Sequence, residues 1–255
     1  LAMPPRWLAL AAAAFPLVPE AAGAEGPKAA LELGVYGPFT SISARMLAAA
    51  VAFDLDFRKR SDATLVDRLG PPIVDVPRLH PDLAVGVQIG NSDSRFEIGI
   101  CTAIELIQGD GGRRKVAALV GGYHSSISIP VASINAWFEV PQVSYGSTNA
   151  KLSNKDDYPY FSRTIPPDSI QGAAMWRFIK RFEVPLVTFM YQEEPYGEGL
   201  WQMVSDASSH VGEAWRVMPV CVRYMPGAYD VEEAREKINR AIGMAARGIL
   251  MAFTA

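Results

Sequence analysis

The sequence predicts an α/β protein with parallel sheets flanked by helices. Three observations predict it. Short apolar runs rich in Val, Leu and Ile alternate with helix-length segments from Leu31 onward. The junctions between them carry Gly, Pro, Ser or Asp, the residues that end strands and start helices. The balance of 49% hydrophobic and 20% charged residues over 255 positions is that of a chain with a sizeable core.

Each element has its own signal. Arg6 precedes an apolar run from Trp7 to Val18, and Ala22-Gly23-Ala24 supplies a small-residue cleavage site. Residues 1–24 are therefore expected to be a signal peptide. Leu31 to Tyr36 is a strand ended by Gly37-Pro38. Ser41 to Asp56 is Ala-rich and helical. Arg58 to Pro81 is charged, Pro-rich and without a period, so it reads as a long loop. Leu83 to Ile89 is a strand, and Asp93 or Ser94 is expected to cap a helix that runs to about Gln108. Gly109 to Arg114 is a polar turn. Val116 to Val120 is a strand, Ser125 to Phe138 a helix and Val140 to Tyr145 a strand.

The rhythm continues in the second half. Phe161 to Ile165 is a strand, and Pro167-Asp168 opens a helix ending near Phe182. Leu186 to Tyr191 is a strand, Tyr196 to Val211 a helix and Ala214 to Tyr224 a strand. Val231 to Ala246 is a helix, and Gly248 to Phe253 a strand. A chain stopping just after a strand is expected to be a piece of a longer product.

Composition excludes several functions. A net charge of -3 offers no electrostatic footprint for nucleic acid. The three histidines, His80, His124 and His210, are scattered, so no zinc site and no cofactor is expected. No G-x-G-x-x-G, Walker loop or G-x-S-x-G occurs, so no enzyme is expected. Cys101 falls in a helix and Cys221 in a strand, and the two are not expected to pair. No N-x-[ST] sequon is present.

The residues that carry chemistry lie between Val116 and Tyr196. Ser125 and Ser126 open a helix after a strand and Gly121-Gly122, where free N–H groups and a hydroxyl suit a carboxylate. Ser147 and Thr148 follow the neighbouring strand, which would bring them beside Ser125. Asp168 and Tyr196 each start a helix, offering an acid and an aromatic face to an ammonium. Each residue alone is more often a plain helix cap or turn residue. Together they supply what the backbone end of a free amino acid requires.

The stretch GGYHSSISIPVASINAWFEVPQVSYGSTNAKLSNKDDYPYFSRTIPPDSIQGAAMWRFIKRF, with EEPYGEGLW after it, resembles the ligand-binding region of class C G-protein-coupled receptors, and metabotropic glutamate receptors most of all. The resemblance implies a bilobed Venus-flytrap fold of periplasmic-binding-protein type I. It implies lobe I over 25–162 and an incomplete lobe II over 163–255. By that resemblance Ser125 holds the ligand α-carboxylate, Ser147 and Thr148 lie in the loop that meets the carboxylate and amino group, Asp168 stands near the amino group, and Tyr196 closes over the ligand from lobe II. Gly146 departs from a serine found there in some members. Tyr123-His124 replaces a smaller pair, which narrows the pocket or adds a donor, although an exposed loop histidine is the plainer reading of His124. Arg45 is the candidate for reading an acidic ligand side chain, with a solvated helix arginine as the plainer reading.

The expectation is therefore an extracellular receptor region that binds a free, glutamate-like amino acid in its cleft and signals by lobe closure. Its partners would be that small molecule, the membrane through a C-terminal part not in this sequence, and a second copy of the chain in a homodimer. A soluble amino-acid-binding protein of a transporter, or a receptor for another ligand class, are the alternatives.

Overall fold

The computed structural model describes residues 29–39, 50–51, 82–184, 186–209, 216–222, 224–225, 228–229, 231–243 and 248–252. The expected signal peptide, the loop from Arg58 to Pro81 and Arg45 lie outside the described residues. Of the helix expected over Ser41 to Asp56, Ala50 and Val51 are described, and both are helical.

The elements are β1 (Ala29–Gly37), β2 (Leu83–Asn91), α1 (Phe96–Gln108), β3 (Ala118–Gly121), α2 (Ser125–Phe138), β4 (Gln142–Ser144), a 3₁₀ turn (Ala150–Ser153), β5 (Phe161–Arg163) and α3 (Asp168–Arg181). Then follow β6 (Leu186–Gln192), α4 (Pro195–Ser209), β7 (Arg216–Val222), a small hairpin β8 (Tyr224–Met225) and β9 (Ala228–Tyr229), α5 (Val231–Gly243) and β10 (Gly248–Ala252). The 3₁₀ turn and the hairpin are additions to the sequence expectation.

Two parallel sheets result. The first has the order β2-β1-β3-β4-β5 and the second β10-β6-β7. In the first sheet β1 pairs with both β2 and β3, with Val35 opposite Ile89 on one side and Val120 on the other. The strand order therefore reverses at β1/β3, and an open α/β sheet binds ligands beyond its strand ends at such a point. In the second sheet β6 is the central strand, flanked by β7 on one side and β10 on the other. The site residues that follow β3 and β6 thus sit at comparable places in the two sheets.

The first core packs Tyr36, Leu106, Ile107, Leu119, Ile127 and Val131 between the sheet, α1 and α2. The second packs Phe189, Leu200, Val204 and Ala252, with Tyr191, Tyr196 and Trp201 at its edge. Tyr191 and Trp201 stack with their planes 3° apart. Helix α2 starts at Ser125, as its sequence predicts, and ends at Glu139 in the left-handed region. Helix α1 ends on Gly109, also left-handed at φ 81, whose N–H reaches the Glu105 carbonyl.

The start of α1 corrects the sequence reading. Neither Asp93 nor Ser94 caps it; Arg95 occupies that position without a side-chain cap. Asn91 is the reason. Its side-chain oxygen accepts the Asp93 N–H at 3.0 Å, an Asx turn, and Asp93 and Ser94 both take positive φ. Cys101 is exposed on α1 and Cys221 lies on β7, and neither is disulfide-bonded.

Candidate functional site

The loops after β3 and β4 are drawn together by one hydroxyl. Ser144, fully buried, donates to the Gly122 carbonyl at 2.6 Å. Its oxygen accepts the Gly146 N–H at 3.2 Å and the Ser147 N–H at 2.9 Å. Gly122 takes φ 88, and a Cβ there would meet Ser128 Oγ at 2.3 Å. At Gly146 a Cβ would stand 2.6 Å from the Tyr123 ring and 2.8 Å from the Tyr123 carbonyl oxygen. Gly146 and Tyr123 pack directly on each other, because the Tyr123 backbone and ring occupy the space a side chain at 146 would need.

All five expected site residues converge here. The Ser125 hydroxyl accepts the Asn149 N–H at 3.2 Å, which leaves the hydroxyl proton available to an anion. Ser147 is fully buried, and its hydroxyl faces inward, donating to the Gly122 carbonyl at 2.9 Å and standing 2.7 Å from Ser128 Oγ. It holds the loop from beneath. Thr148 and Asp168 meet through the backbone, where the Asp168 N–H donates to the Thr148 carbonyl at 2.8 Å.

The side chains of Thr148 and Asp168 differ from their surroundings. The Thr148 hydroxyl and both Asp168 carboxylate oxygens are buried; they stand close to one another, yet none makes a hydrogen bond of good geometry to any described residue. Asp168 is the first residue of α3, and Pro167 takes the cap position. Burial pushes the Asp168 carboxyl above its ordinary value, and the Thr148 hydroxyl and Arg163 guanidinium beside it pull it partly back. A buried acid with unsatisfied oxygens is costly unless a cation answers it.

Tyr196 comes from the second sheet, at the start of α4. Burial raises its phenol, Gln171 lowers it, and Asp168 and Tyr123 lie close enough to raise it further. Tyr196 therefore stands with Asp168 and Tyr123 at the junction of the two sheets.

His124 corrects a sequence reading. It is 8% exposed, in the cap position of α2, and not an exposed loop histidine. Its ring sits edge-on to Tyr123 at 4.9 Å, and its Nε2 has no partner among the described residues. Burial lowers its pKa, which favours neutral imidazole. Tyr145 lies 5.9 Å from Tyr123, and burial pushes its phenol up to about 12.

Sequence reasoning missed several residues that shape the site. Arg163 Nη1 donates to the Asn149 carbonyl at 2.9 Å and the Ser147 carbonyl at 3.3 Å, and Nη2 bonds Ser153. Asn149 bonds across to Pro195. Beneath them Gln142 joins Asn135 at 2.9 Å and Tyr36 at 3.0 Å, all fully buried. A pattern reader sees Gln142 and Ser144 as sheet residues, and nothing local marks the loops they tie. Among the described residues no group of three His, Cys, Asp or Glu could hold a metal ion, and no helix is long and apolar enough to cross a membrane.

Comparison with known proteins identifies the family. Residues 73–255 match the family described as "Receptor family ligand binding region". A 110-residue stretch is 36% identical to a probable metabotropic glutamate receptor of Caenorhabditis elegans, covering 43% of this chain and 11% of that protein. The chain thus spans a small fraction of that relative's length. The two parallel sheets, the junction between them and the match over most of the sequence carry one conclusion: the chain belongs to the receptor family ligand-binding regions, and it is a binding region of a receptor and not an enzyme.

Proposed function

We propose that the chain is the extracellular ligand-binding region of a G-protein-coupled receptor, with lobe I over 25–162 and lobe II from 163 on, and that it binds a free α-amino acid between them. The observation that carries this reading is the buried pair of Thr148 and Asp168 beside Tyr196; the pair's hydroxyl and carboxylate oxygens make no hydrogen bond of good geometry to any described residue. An ammonium answers the carboxylate, accepts the cation–π face of Tyr196, and removes the desolvation cost of Asp168. The α-carboxylate accepts hydrogen bonds from the Ser125 hydroxyl and from N–H groups at the start of α2. Ser147 positions this loop.

The ligand docks on lobe I first. Tyr196 then adds contacts that exist only when the lobes are closed, and this difference in affinity favours closure. The similarity to a metabotropic glutamate receptor supports a glutamate-like ligand and a membrane-bound whole protein at the cell surface. The reading includes a homodimer, for which Trp137, 85% exposed at the end of α2, and neighbouring Phe138 offer an apolar contact.

The test is calorimetry with the twenty free L-amino acids on the full chain. At least one should bind, and Ser125→Ala and Thr148→Ala should each weaken it by about 1–3 kcal/mol. Unchanged affinity in both variants would remove the site assignment.

A further inference from the structure

Asn149 stands one residue beyond Thr148 and is 2% exposed. Its polar groups engage different parts of the molecule. The N–H donates to the Ser125 hydroxyl at 3.2 Å, and the carbonyl accepts from Arg163 at 2.9 Å. Side-chain Oδ1 accepts the Lys151 N–H at 2.9 Å, which starts the 3₁₀ turn. Side-chain Nδ2 donates to the carbonyl of Pro195, in the first turn of α4. These last two bonds fix the amide's orientation, since the flipped form would set oxygen against a carbonyl and NH₂ against an N–H. On the far side Gly199 makes room, because a Cβ there would stand 2.6 Å from Nδ2.

We infer that Asn149 is a latch that joins the ligand loop of lobe I to helix α4 of lobe II and holds the closed arrangement. Its link to the ligand and to lobe closure rests on the reading proposed above. The latch itself rests on the Asn149–Pro195 bond and the Gly199 contact. A bond present in one of two states shifts their equilibrium by its own free energy. Pro195 directly precedes Tyr196, so the bond also sets where that ring stands. On the ligand side, a carboxylate that accepts the Ser125 hydroxyl's hydrogen bond makes the serine oxygen a better acceptor for the Asn149 N–H. Carboxylate binding and closure then reinforce each other through one residue.

The test uses the full chain and whichever of the twenty free L-amino acids binds best. Asn149→Ala should speed dissociation about tenfold, the equivalent of one hydrogen bond, and leave the association rate nearly unchanged. Gly199→Ala should do the same from the opposite lobe by displacing the amide. The double variant should be no worse than either single one, because both remove the same contact. Fluorophores at exposed Glu97 and Lys180 should report a larger open fraction in each variant, with or without amino acid. Multiplying effects in the double variant, or unchanged dissociation and open fraction, would overturn the latch. If Asn149→Ala fails to fold, Gly199→Ala carries the test. If no amino acid binds the unaltered protein, the amino-acid reading fails while the fluorescence comparison still decides the latch.

Discussion

Replacing Asp168 by Asn removes a charge and keeps the shape of the side chain. In the structure this carboxylate is fully buried, and neither oxygen makes a hydrogen bond of good geometry to any described residue. Burial raises its pKa, and Thr148 and Arg163 offset only part of that. A buried polar group left unsatisfied costs about 1–3 kcal/mol, and a neutral amide escapes the charged share of it. Asp168→Asn should therefore stabilise the ligand-free protein by about 1 kcal/mol at pH 7, an increase in Tm of about 2–4 °C. The sign follows from linkage. A carboxyl whose folded pKa is raised opposes folding above that value, and the penalty is relieved as pH falls through it. The gain in the variant should accordingly shrink on acidification. Binding should move the opposite way. Removing one partner of a buried charge pair costs about 3–5 kcal/mol, so amino-acid affinity should fall by about two to four orders of magnitude. Thermal melts at pH 7 and pH 5, with calorimetry at pH 7, read both effects. A lower Tm in the variant, or an unchanged affinity, would refute the reasoning.

Two further perturbations test the framework around that acid. Burial lowers the pKa of His124, so the unfolded chain binds a proton near its ordinary value of about 6.5 while the folded chain resists. Stability should then fall as pH drops from about 7 toward the lowered folded value, and His124→Gln should flatten that fall; equal slopes in thermal melts would contradict it. Ser144→Ala removes the hydroxyl that serves Gly122, Gly146 and Ser147. It should cost about 1–3 kcal/mol in urea unfolding, and a loss near zero would show that the two loops hold their places without it.

Much of the fold was legible because hydrophobic period and punctuation are local. Ser125 to Phe138 could be read as a helix from its opening serines and apolar spacing, and β6 from the run Leu186 to Tyr191. The start of α1 was misread because the deciding atom is the side-chain oxygen of Asn91, which competes for a backbone N–H before the helix begins. His124 was misplaced for a related reason. A histidine beside Gly-Gly looks exposed until the Tyr123 ring covers it, and that packing depends on Gly146, more than twenty residues away.

The sequence by itself determined the alternation of strands and helices, the loops that carry the site, and the order Ser125, Ser147, Thr148, Asp168, Tyr196. Those depend on neighbours along the chain. Only the tertiary structure decided which hydroxyls face the junction and which face inward. Ser147 is bonded internally, whereas Thr148, the next residue, turns a buried hydroxyl toward Asp168 without a hydrogen bond of good geometry. Only the structure showed that Asn149 reaches Pro195. The physical reason is that hydrogen-bond saturation and burial are properties of three-dimensional neighbours, and a residue's type fixes what it can donate or accept but not what stands beside it.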